Sequence, residues 1–288
     1  MTSLSHKLLA PLWATLIALP IVAYGQDIWG ALAFANLRFR PDLPWAAPTM
    51  AVLLVLLMRY LGGAGWPRRG AETRRRLLRL NPVAPRVFIQ AMIAGVLALG
   101  ALGGIWLVTS DLVHLPRGLT PDTSGYPLPT VISLFVMGCI AAPLSEEAAF
   151  RGYAQGLLER AWGWAPAAVV GSSVLFAAVH IPQGLDLAKL SLYFLAGLIF
   201  GSIAYLTNSL LASMAVHSLG DVLGFLLLWP HDMLPHGMIS QGGTDPVFWP
   251  AVAATIIFTP LALMAFARLA RMREDPSAAI PVAGLATA

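Results

Sequence analysis

The chain alternates long apolar runs with short polar connections. The runs are continuous rather than alternating in polarity, which favours helices over the closed β-barrel, the other fold that satisfies its backbone inside a bilayer. A spanning helix needs about 20 apolar residues. By that measure the pattern predicts spans over 8–25, 45–61, 87–108, 129–158, 165–181, 187–206, 209–229 and 249–269. The expected fold is all-α, a polytopic transmembrane bundle of about eight helices. His6 and Lys7 before the first run resemble the charged region of a signal peptide, but the run is long and no small-residue cleavage site follows it, so it reads as a retained helix. The fourth run is too long. As a helix it measures about 45 Å against a hydrocarbon core of about 30 Å, and Pro143 in its middle predicts a kink or break.

Composition agrees with a membrane protein. Of 288 residues 58% are hydrophobic and 11% charged, with a mean hydropathy of +0.73; soluble domains carry about 25% charged residues. The net charge of +4 does not point to nucleic acid, because the cations sit beside the spans. The connection 62–86 holds Arg68, Arg69, Arg74, Arg75, Arg76, Arg79 and Arg86 against Glu72. Such a loop is cytoplasmic by the positive-inside rule. Counting spans from it places both termini inside, in agreement with Lys7, Arg268, Arg271 and Arg273. The loops 109–128 and 230–248 then fall outside, with Arg117 alone against Asp111, Asp122, Asp232 and Asp245. The stretch Arg74–Arg79 reads as a cytoplasmic loop near anionic lipid; a short basic surface helix with Leu77, Leu78 and Leu80 is the alternative. An inner or plasma membrane location follows, with the bilayer as a partner. The single Cys139 excludes an intrachain disulfide and reads as a packing residue. The chain divides into amino-terminal helices with the basic loop (1–128), a polar-motif core (129–229), an outer loop with the last helix (230–273) and a disordered tail (274–288).

Ionisable groups at membrane depth are costly and mark function. They are few: Glu146, Glu147, Arg151, His180, His217 and Asp221, all in the second half. Glu147 and Arg151 stand four apart, the spacing of one helix face, and can neutralise each other. Glu146, about 100° around the helix, is left to face the bundle interior. Phe176 and His180 share a face, as do His217 and Asp221. Each motif alone also fits a structural ion cluster or a helix–helix hydrogen bond. Gly197 with Gly201, and Gly220 with Gly224, have the spacing of close helix packing. His231 and His236 with Asp232 read as a solvated loop. One carboxylate and two imidazoles on three helices suit two hydrolytic mechanisms. In one, Glu146 is a general base toward water and the histidines steady the oxyanion. In the other, Glu146, His180 and His217 hold a divalent metal such as zinc, which lowers the pKa of bound water. No HExxH or GxSxG segment occurs.

Three segments resemble the motifs of the CAAX protease and bacteriocin-processing family, the CPBP or Abi intramembrane endopeptidases. The pattern EExxxR, FxxxH and HxxxN reads here as Glu146-Glu147…Arg151, Phe176…His180 and His217…Asp221, in that order, with Phe150-Arg151-Gly152-Tyr153 alongside. The resemblance covers about 129–229. It implies a bundle of about eight helices whose site opens toward the cytoplasmic leaflet and takes a peptide or protein substrate presented at the membrane. It also implies that Glu146 activates water, that His180 and His217 hold the water or the oxyanion, and that Glu147, Arg151 and Phe176 support them. Asp221 stands where the family often has Asn. An ionised Asp would repel an oxyanion, so Asp221 is either protonated or orients His217. Two non-proteolytic functions compete. A membrane scaffold or bacteriocin-immunity factor would use the same polar pocket for binding. A transporter is disfavoured, since the chain lacks an internal repeat.

Overall fold

The computed structural model describes residues 4–113, 122–228, 239, 243–244 and 246–274, and among them the regular elements are all helical. They are α1 (Leu4–Phe39), α2 (Ala46–Leu61), α3 (Ala71–Leu78), α4 (Pro85–Leu112), α5 (Leu128–Glu146), a π-helical segment (Glu147–Ala154), α6 (Gln155–Trp162), α7 (Ala165–Ala178), α8 (Leu187–Thr207), α9 (Leu210–Leu228) and α10 (Phe248–Glu274). Six helical stretches among the described residues are long and apolar enough to cross a membrane, and Ala46–Leu61 and Leu210–Leu226 are shorter apolar helices. Each expected span has its helix, and the molecule is an all-α, multi-pass membrane protein. Leu12, Leu16, Val52, Ile89, Ile256 and Leu263 are exposed on the outer faces, where lipid replaces the water that would penalise them. The outer-loop residues His231, Asp232 and His236, and the tail beyond Glu274, lie outside the described residues.

Helix order and a few polar contacts fix which connections share an end. At one end the Trp162 indole donates to the Lys7 carbonyl at 3.1 Å, Asn81 donates to the Asn208 carbonyl at 2.7 Å, and Arg273 donates to the Tyr205 carbonyl at 3.0 Å. Arg79 pairs there with Glu159. At the other end Thr130 donates to the Pro41 carbonyl at 2.6 Å, and the helix order puts the ends Phe39, Leu112 and Ala178 and the starts of α5, α8 and α10 on that side. We call these the basic end and the far end. The turns have simple causes. Gly163, at φ 67°, ends α6, a left-handed position that costs glycine nothing; Pro166 in the first turn of α7 lacks only an N–H that has no helical partner. Asp186 caps α8 by accepting from the Lys189 amide at 2.8 Å.

Three expectations need correction. First, α1 does not end near residue 25. It continues through the polar pair Gln26-Asp27 to Phe39: Gln26 reaches Glu146 inside the bundle, and Ile28, Trp29 and Leu32 pack on Met50, Leu54, Met137 and Ala141. Second, of the kink or break expected at Pro143, the break does not occur. α5 passes through it to Glu146, and membrane helices tolerate proline where neighbours satisfy the freed backbone. The ladder widens only after Glu146, in the π segment; such segments occur often at functional sites. Third, Arg74–Arg79 is not a lipid-facing loop. It belongs largely to α3, with Leu77 and Leu78 buried to 4% and 1% exposure. Arg74 donates to the carbonyls of Tyr60, Ala64 and Pro67 at 2.9–3.1 Å. Burying each leucine contributes about 1.5–3 kcal/mol, against about 1 kcal/mol per basic residue held near an anionic surface. Packing therefore wins, and α3 closes the basic end of the bundle.

The core under that end joins Leu57, Leu61, Leu77, Leu78, Phe150, Tyr153, Leu158, Leu210 and Met214. A second cluster joins α4, α8, α9 and α10 through Ala91, Phe200, Ile203, Val216 and Leu269. Two glycines allow close approach beside the polar motifs. A Cβ on Gly25 would lie 2.1 Å from the Ser145 hydroxyl, and one on Gly95 would lie 2.5 Å from a Val216 methyl. Cys139 is buried, as expected of a packing residue.

Candidate active site

Glu146 closes α5 and is 4% exposed. One carboxylate oxygen accepts a hydrogen bond from the Gln26 side chain of α1. The other lies 3.5 Å from Nε2 of His217 on α9. Glu147 opens the π segment. Its Oε1 is 3.0 Å from His217 Nδ1 and 3.1 Å from an Arg151 guanidinium nitrogen. Arg151 is wholly buried, with its guanidinium carbon 4.1 Å from the centre of the Phe176 ring and 5.3 Å from that of Phe200. Desolvated cation–π contacts are worth about 2 kcal/mol and support a cation whose carboxylate partner meets it on only one side. Phe200 also stacks on the His217 imidazole at 4.2 Å and 17°. Asp221, one turn along α9, places Oδ1 3.7 Å from His217 Nε2.

The partners fix the imidazole tautomers. A carboxylate paired to arginine accepts and does not donate, so His217 Nδ1 carries a proton toward Glu147 and Nε2 is the atom facing Glu146 and Asp221. His180 stands just beyond α7, with Nδ1 2.7 Å from the Phe176 carbonyl. A carbonyl also only accepts, so Nδ1 carries the proton there too and Nε2 remains available. The His180 ring stacks on Tyr193 at 3.8 Å and 21°, and the Tyr193 hydroxyl donates to Gln183 at 3.1 Å.

A cavity of about 1120 Å³ has Glu146, Phe176, His180, His217 and Asp221 in its wall, together with Gln26, Gln183, Lys189 and Tyr193. From this polar part an apolar arm extends between α4, α9 and α10, along Val96, Leu99, Leu107, Leu223, Ala251 and Phe258. Glu147 and Arg151 are absent from the wall; they lie behind it, sealed by phenylalanine rings.

The structure thus brings Glu146, Glu147, Arg151, His217 and Asp221 into one connected cluster and sets His180 in the same cavity. Phe176 has more contacts than its motif position implied, since its carbonyl holds His180 and its ring covers Arg151. Gln26, Tyr193 and Phe200 are further neighbours of the site that no motif marked. Gln26 left a weak signal, a lone amide at the end of an apolar run. Of the glycines expected to pack helices, Gly197 does so, since a Cβ there would lie 2.8 Å from Ser173. Gly224 does not: no atom lies within 4 Å of a Cβ built on it, and it borders the cavity. As for a metal, no group of three His, Cys, Asp or Glu side chains among the described residues is arranged to hold one. Each imidazole offers only Nε2, its Nδ1 being engaged.

Fold and site together define a class, a membrane-spanning helical bundle that carries a carboxylate–imidazole centre in its interior. Residues 128–223, a third of the chain, match the model of a family described as type II CAAX prenyl endopeptidase Rce1-like. This segment is similar to that family, as the three motifs implied. No curated protein and no solved structure matches the chain.

Proposed function

We propose that the protein hydrolyses a peptide bond in a membrane-presented substrate, with Glu146 as general base toward water. The observation that carries this reading is the Glu146 carboxylate at the inner end of the cavity, held by Gln26 on one side and turned toward His217 on the other. Glu146 takes one proton from a water whose other hydrogen is held by an imidazole Nε2, that of His217 or His180. The water oxygen bonds to the scissile carbonyl carbon. When the tetrahedral intermediate collapses the C–N bond breaks, and the proton held by Glu146 goes to the departing amine nitrogen. Glu147 fixes the His217 tautomer, and Arg151 positions Glu147 for that task. Asp221 lies on the cavity side of His217 and orients it electrostatically, which suits an aspartate better than direct contact with an oxyanion. The apolar arm suits a substrate with a hydrophobic flank beside the bond. The host membrane is the inner or plasma membrane.

The test is hydrolysis of a peptide library in liposomes by wild type and Glu146→Ala. Turnover by wild type and loss of it in the variant are expected; equal turnover overturns the assignment. Zinc content and chelator sensitivity of the same preparation report on the metal-dependent mechanism. A scaffold or immunity factor predicts instead that Glu146→Ala keeps biological activity and that wild type cleaves nothing.

A further inference from the structure

Two expectations from the sequence meet in the structure and cannot both hold. One is that the arginine-rich connection and both termini are cytoplasmic. The other is that the site opens toward the cytoplasmic leaflet. The basic end carries Lys7, the arginines of 62–86, Arg160, Arg271 and Arg273, whereas the described residues of the far end carry Arg38, Arg40 and Lys189. The cavity runs toward the far end. Its inner limit is Glu146, Phe176, Phe200 and His217, none more than 6% exposed. Its lining then follows α9 from His217 to Leu226 and α4 from Val96 to Leu107, and reaches Gln183 and Pro250, which are exposed, at the far-end connections. Toward the basic end the site is backed by the Leu77, Leu78, Phe150 and Leu210 core and by the Arg79–Glu159 pair.

We infer that the site receives its substrate from the non-cytoplasmic face. Lys/Arg asymmetry in short connections sets orientation, and here it places the basic end inside and the mouth outside. The substrate class that follows is a peptide exposed on that face, either an exported peptide or the outer segment of a membrane-anchored chain, and not a cytosolic carboxyl terminus. This rests on the proposed peptidase reading for the word substrate, but the direction of access is a separate property.

Cysteine labelling tests it without any turnover. In a Cys139→Ala background, single cysteines replace Gln183 at the mouth, Gly224 in the cavity wall and Arg69 at the basic end, and each full-length variant is treated with a membrane-impermeant maleimide. In intact cells Gln183→Cys and Gly224→Cys should label and Arg69→Cys should not; in inverted vesicles the pattern should reverse. Labelling of Arg69→Cys from outside overturns the inference, and so does labelling of Gly224→Cys only from the side that labels Arg69→Cys. Should Gly224→Cys fail to accumulate, Gln183→Cys against Arg69→Cys decides alone. A correct labelling pattern in a protein that cleaves nothing would sink the peptidase reading and leave the direction of access standing.

Discussion

Glu146 and Glu147 are adjacent in the chain and face opposite surroundings. Glu147 looks toward the sealed basic end, between Arg151 and the His217 Nδ1–H, behind phenylalanine rings. Glu146 looks toward the cavity, tied by one oxygen to Gln26, with the other near His217 Nε2. A carboxylate enclosed by protein partners is fixed and can only support its neighbours. One that keeps a side toward a cavity is available to water and substrate. The change from α to π ladder between the two residues helps them diverge.

The strongest way to break this contrast is on the sealed side. Arg151→Met leaves Glu147 buried without its cation and should cost about 3–5 kcal/mol, read as a fall in unfolding temperature in detergent. Adding Glu147→Met to it should recover much of that stability, since removing a whole buried pair costs less than removing half of it; turnover should stay absent, because His217 has lost the partner that sets its tautomer. Gly25→Ala acts from the cavity side. Its Cβ would meet Ser145 at about van der Waals overlap, and overpacking of this kind costs about 1–3 kcal/mol. It should shift Gln26 from Glu146 and lower turnover, and Ser145→Gly in the same chain should restore both. The smallest effect belongs to Glu72→Ala. The Arg76–Glu72 pair is mostly exposed, with side chains at 66% and 70%, and its loss should change stability by less than about 0.5 kcal/mol.

The sequence made the bundle legible because apolar runs of spanning length have few other uses. The ionic motifs were legible for the related reason that charges at that depth are rare. The parts that stayed hidden depend on partners far along the chain. The hydropathy of α1 drops at Gln26, and the partners that carry the helix on lie far along the chain, Glu146 for Gln26 and the Met50, Leu54, Met137 and Ala141 cluster for Ile28, Trp29 and Leu32. Arg74 and Arg79 look like a solvated charge run until the backbone carbonyls and Glu159 that receive them are seen. Phe200 and Tyr193 are ordinary apolar helix residues in sequence; stacking on His217 and His180 is a tertiary fact. The break allowed for at Pro143 is absent for a different reason, since neighbours in a bundle can satisfy the backbone that proline frees.

The division of labour between the two glutamates is the central claim, and the isosteric pair Glu146→Gln and Glu147→Gln tests it most directly, with peptide turnover and unfolding temperature measured side by side in one detergent. Glu146→Gln should keep the Gln26 hydrogen bond through its amide oxygen and the wild-type unfolding temperature, while turnover falls by about 10²–10⁴-fold, the usual worth of a general base. Glu147→Gln should lose stability, because Arg151 is left buried without its counter-charge. Wild-type turnover in Glu146→Gln, or an unchanged unfolding temperature in Glu147→Gln, would contradict it.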